Sequence, residues 1–68
     1  MTYRELTRQL RRLGCELKRQ SKGSHEIWHN PHQNRSAVIP RHPGDLPAGT
    51  LRAILKGLGL SPDDLISR

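Results

Sequence analysis

From residue 2 onward the apolar positions recur at a helical spacing. Tyr3, Leu6, Leu10 and Leu13 stand three and four apart, one stripe along an α-helix. Thr2 and Glu5 bracket its start as a T-x-x-E capping box, in which hydroxyl and carboxylate each take an otherwise orphaned backbone N–H. Gly14 tolerates the left-handed conformation that ends a helix, so the first helix closes at about Leu13. From Cys15 to Gln20 the period drops to two, with Cys15 and Leu17 on one side and Glu16 and Lys18 on the other, as in a half-buried strand. Ser21-Lys22-Gly23-Ser24 reads as a turn, His25 to His29 as a second strand, and Asn30-Pro31-His32-Gln33-Asn34 as a reversal. Arg35 to Ile39 supplies a third strand. Three prolines and Gly44 then fall between Pro40 and Pro47, a loop that must run on the surface.

After that loop Leu51, Ile54, Leu55 and Leu58 restore the helical period and Gly59 ends it, which predicts a second helix over about Pro47 to Leu58. Ser61-Pro62-Asp63-Asp64 offers an N-cap, a proline at the first helical position and acids in the first turn, so a short third helix is expected to carry Leu65 and Ile66. The predicted order is α-β-β-β-α, an α+β fold. A meandering three-stranded antiparallel sheet would take both helices on one face and leave the other open. The 68 residues form one domain, 1–68, which at this size buries only about 60% of the surface its unfolded chain exposes.

Strand parity separates Ile27 from Trp28. Only one of them can face the core in a regular ladder. Trp28 is the one aromatic large enough to stack a base, and a lone tryptophan in a chain without phenylalanine is more often the core's centre, the reading favoured here. His25 would then share the open face with Ile27 and His29.

Charge adds a partner class. Lys and Arg number 12 against 6 Asp and Glu, a net charge of +6. Residues 1 to 44 carry nine basic and three acidic side chains, while residues 45 to 68 carry three of each. A polyanion is the implied partner. At about 100° per residue, Arg4, Arg8, Arg11 and Arg12 cluster nearly opposite the leucine stripe of the first helix. Such a stripe is either a solvated face or a set of phosphate contacts. A single cysteine, Cys15, excludes an internal disulfide, and no apolar run approaches the roughly 18 residues of a membrane span. The expectation is a soluble cytoplasmic chain with Cys15 in its core.

Taken in order, Gly14, KGSHEIW at 22 to 28, VIPRH at 38 to 42 and GTLRAILKGLGLS at 49 to 61 resemble the successive blocks of the HicA-type toxins. The resemblance covers nearly the whole chain. It implies a double-stranded-RNA-binding-like fold, metal-independent cleavage of mRNA, and neutralisation by a cognate HicB-type antitoxin. It also places the family's catalytic histidine, in G-S-H, on His25. The chain departs from the family at Cys15, where a larger apolar or aromatic residue is common.

The chemistry of the residues agrees with that implication. RNA carries its own nucleophile, the 2′-hydroxyl, so cleavage needs a group that takes a proton or gives one near neutral pH, a task matched to histidine. Phosphate charge in the transition state would be met by Lys22, by backbone N–H groups of Gly23 and Ser24, or by an arginine, with Arg8 and Arg11 as further contacts. Gly23 lets backbone approach a phosphate closely. His42, in VIPRH, is expected to matter less than His25. On a strand His25 and His29 lie about 13 Å apart, too far to share one zinc ion, and no cofactor or metal is expected. Ser24 has no acid partner for a serine triad. The expected function is that of an endoribonuclease toxin. The competing one is a non-catalytic module that docks RNA or protein.

Overall fold

The computed structural model describes residues 1–65. Helix α1 spans Tyr3–Arg12 and helix α2 spans Ala48–Gly57; between them lie strands β1 (Glu16–Gln20), β2 (His25–Asn30) and β3 (Arg35–Pro40). The strands form one antiparallel sheet in the order β1-β2-β3, so the predicted α-β-β-β-α order is the observed one.

Each helix begins and ends as its local sequence dictates. The Thr2 backbone N–H donates to Glu5 Oε1 at 2.9 Å and the Glu5 N–H to Thr2 Oγ1 at 3.1 Å, the reciprocal bonds of a capping box. That donation holds the Glu5 carboxyl below its ordinary pKa. At the other end Gly14 adopts φ +93°, Cys15 N–H reaches back to Leu10 O at 2.8 Å, and Gly14 N–H to Arg11 O at 3.0 Å, a Schellman motif. Gly59 closes α2 the same way.

One sheet face and the two helices enclose the core: Leu6 and Leu10 from α1, Trp28 and Ile39 from the sheet, and Ile54, Leu55 and Leu58 from α2 and its end, with Cys15 and Leu46. Trp28 is 1% exposed, as expected. Burial raises the Cys15 thiol pKa, as suits a packing residue and not a nucleophile.

The residues of β2 alternate strictly. Glu26, Trp28 and Asn30 point inward, and His25, Ile27 and His29 point to the open face. Two inward positions are therefore polar, and both are satisfied. Glu26 Oε1 accepts from the Tyr3 hydroxyl and from Trp28 Nε1 (3.0 Å), and Asn30 Nδ2 donates to Leu58 O at 2.8 Å.

Several boundaries differ from those predicted. Strand β1 starts at Glu16, and all its residues are exposed, Leu17 at 40% included. Its alternation therefore marks the sheet's pleat without burying a face. Strands β2 and β3 each run one residue further, through Asn30 and Pro40. Helix α2 begins at Ala48 because Pro47, lacking an N–H and held at φ −57°, ψ 145°, sits at its N-cap. The third helix is a single 3₁₀ turn, Pro62–Asp64. Leu65 follows it, and Ile66 lies outside the described residues.

Candidate functional site

The segment from Lys22 to His25 is a tight turn at the junction of β1 and β2. Gly23 takes φ +63°, which a side chain would oppose, although a Cβ there would meet nothing within 4 Å. The space above the turn is open. His25 N–H donates to Lys22 O at 3.3 Å, Ser21 N–H to His25 O at 2.9 Å, and Gln20 Nε2 to Gly23 O at 3.4 Å. From just past the end of β3, Arg41 N–H donates to Ser24 O at 2.8 Å. The turn is thus held from both sides.

His25 is exposed and pairs with Pro40 in the sheet register. Its Nδ1 lies 3.4 Å from Lys22 O. A carbonyl can only accept, so this contact favours the tautomer with hydrogen on Nδ1 and leaves Nε2 as the basic nitrogen. Lys22, Gly23 and Ser24 are exposed beside it.

The open face around His25 contains a row of cross-strand pairs. Ile27 stands opposite Val38, which is 52% exposed, and His29 opposite Ser36, whose hydroxyl lies 2.9 Å from His29 Nδ1. A bulge in β1 between Leu17 and Arg19 makes Arg19, in place of Lys18, the partner of Ile27. The histidines diverge: His29 is tied to Ser36, and a Cβ on Gly14 would meet the ring of His32, which packs there. His42 is exposed on the loop two residues past the His25–Pro40 pair.

The arginines of α1 are all exposed but not all alike. Arg11 lays its guanidinium over the Trp28 ring, 4.9 Å from the centroid, and Arg12 donates to Gln9 Oε1 at 3.0 Å. The stripe predicted to stand opposite the leucines therefore bends, at Arg11, onto the flank of the core. Arg8 stays on the exposed side. The structure brings Lys22, Gly23, Ser24 and His25 together in one turn, and it places Arg8 and Arg11 on a separate element.

Sequence reasoning missed Glu26 and Arg41. Glu26 is 5% exposed, and Arg41 Nε stands 3.9 Å from its second oxygen. The Arg41 guanidinium lies over the Tyr3 ring at 5.6 Å. Burial, and then the hydrogen bond and charge of Glu26, raise the Tyr3 pKa, while Arg41 and Arg11 pull it the other way. The missed signal was parity: once Trp28 faces inward, so does Glu26 two residues before it.

Among the described residues no helix is long and apolar enough to cross a membrane. No curated protein matches the chain. A model of the HicA toxin of bacterial toxin-antitoxin systems does match it, over residues 3–60, and so takes in both helices, the whole sheet and the turn that carries His25. On that match the chain belongs to the HicA toxin family.

Proposed function

We propose that the chain is an endoribonuclease that cleaves mRNA with His25 as general base and without a metal, and that a HicB-type antitoxin silences it by covering the His25 face. The observation that carries this reading is the exposed His25 ring, whose Nδ1 contacts Lys22 O on an anchored turn and so leaves Nε2 as the nitrogen without a hydrogen. In cleavage Nε2 takes the 2′-hydroxyl proton. The 2′-oxygen attacks the adjacent phosphorus, the bond to the 5′-oxygen breaks, and that oxygen leaves with a proton from solvent. Lys22 and the open backbone of Gly23 and Ser24 meet the phosphate charge. Arg8 and Arg11 hold neighbouring phosphates and supply affinity without sequence preference.

His25→Ala tests it. Cleavage of labelled RNA, measured in chelator, should fall by about 10²–10⁴-fold, the usual worth of a general base, with circular dichroism unchanged. No neighbour can substitute, since His29 is occupied by Ser36. His42→Ala should be the milder change. Cleavage at the parent rate by a folded His25→Ala chain would leave the non-catalytic RNA-binding module as the better account.

A further inference from the structure

Arg41 is restrained in three ways. Its backbone N–H is bonded to Ser24 O, its Nε faces the Glu26 carboxylate, and its guanidinium is stacked on Tyr3. The side chain is nonetheless 57% exposed, and its terminal amines have no hydrogen-bond partner among the described residues. An arginine whose guanidinium is already oriented by neighbours loses less side-chain freedom on binding an anion than a free one. Arg11 is a second such group, stacked on Trp28. Trp28 and Tyr3 share the Glu26 carboxylate as acceptor, so the two stacked arginines flank one buried acid.

We propose that Arg41, with Arg11 beside it, forms a phosphate-binding site for the RNA backbone on the helix side of the sheet end, and that Glu26 is its positioning residue. Parity places His25 on the open face and Glu26 on the other, and the Lys22–Ser24 turn joins the two faces at this end. A single strand whose scissile phosphate lies at His25 passes round the turn, and Arg41 takes a flanking phosphate. Guanidinium matches a phosphate oxygen pair in shape and charge. This inference rests on the RNA-cleaving reading and adds the route of the substrate.

The experiment measures binding of a 2′-O-methyl RNA, which lacks the nucleophile and stays intact, to the full chain at several salt concentrations. Arg41→Ala should weaken binding by about tenfold, the scale of one charge-assisted contact. It should also flatten log K against log salt by about 0.7, the single-strand value for one lost phosphate contact. Arg41→Lys should restore the slope but only part of the affinity, since lysine is a point charge without the fork. Glu26→Gln is the discriminating variant. Its amide oxygen still accepts from Tyr3 and Trp28, and it removes a negative charge, so simple electrostatics predicts tighter RNA binding. Positioning predicts weaker binding, because Arg41 is released. Arg52→Ala, an exposed cation on α2, should change neither affinity nor slope by as much as Arg41→Ala. Arg41→Ala binding with parent affinity and slope, or tighter binding by Glu26→Gln, overturns the inference while leaving the His25 reading intact. No binding by the parent chain overturns both.

Discussion

Tyr3 is the chain's only tyrosine, and its hydroxyl donates to a buried carboxylate. Burial opposes the charged phenolate, and ionising it would also break that bond and set two negative charges together, so its pKa lies above the ordinary 10.0. The folded value exceeds the unfolded one, so the native chain holds this proton more tightly. The stability this contributes is complete below about pH 10 and is lost as pH rises through the folded value. Ultraviolet difference titration of native protein should therefore give a phenol midpoint above 10.0, and Glu26→Gln should move it back down. A native midpoint at or below the unfolded one would refute the bond. At this scale the sequence was uneven. Trp28 could be placed by size and rarity alone. Glu26 and Asn30 could not be assigned roles, because their partners, Tyr3 and Leu58, are brought to them only by the fold.

Elements here complete one another's ends. The β2–β3 turn and its flanks cap α2: Asn30 Nδ2 reaches Leu58 O, Gln33 Nε2 reaches Gly59 O at 2.8 Å, and an Arg35 guanidinium nitrogen reaches Lys56 O at 3.3 Å. Leu58 O is among the carbonyls that a helix end leaves without internal donors, and Lys56 O accepts from Gly59 N–H as well. Asn30 is 2% exposed and also accepts from His32 N–H through Oδ1. Asn30→Ala should cost about 1–3 kcal/mol, the penalty for a buried acceptor left unpaired, read as a lower urea midpoint with the slope unchanged. A change under about 0.5 kcal/mol, the range of ordinary surface substitutions, would mean that water replaces the cap. Helix α1 was legible because capping box, glycine stop and apolar period agreed, and α2 because its apolar period and glycine stop did, although no side chain caps its start. Strand β1 was legible as a strand but not as an edge, since alternation reports the pleat and says nothing of what covers it.

At the scale of the whole molecule the sheet's open face is the exposed one. The Ile27–Val38 pair lies at its middle, with His25 and His29 on either side along β2. The partner that a toxin of this family implies is expected to cover this face, sealing the apolar pair and His25 at once. The complex should bury at least about 1,000 Å² in total and slow hydrogen exchange over residues 22 to 30. Protection confined to residues 45 to 65 would place the partner elsewhere. Of the candidate site, the turn was legible as a contiguous motif. The Arg41–Glu26–Tyr3 group was not, because it draws on three separated segments.

The order β1-β2-β3 means that each strand pairs with its neighbour in the chain. Pairings of this kind close short loops, and small mixed domains rich in them fold between the microsecond-to-millisecond range of helical bundles and the milliseconds to seconds of all-β domains. Synthesis of 68 residues at about 5–20 residues per second takes several seconds. The interval between emergence from the ribosome and a finished toxin is therefore short beside the time taken to make it. A neutralising partner gains little time from slow folding.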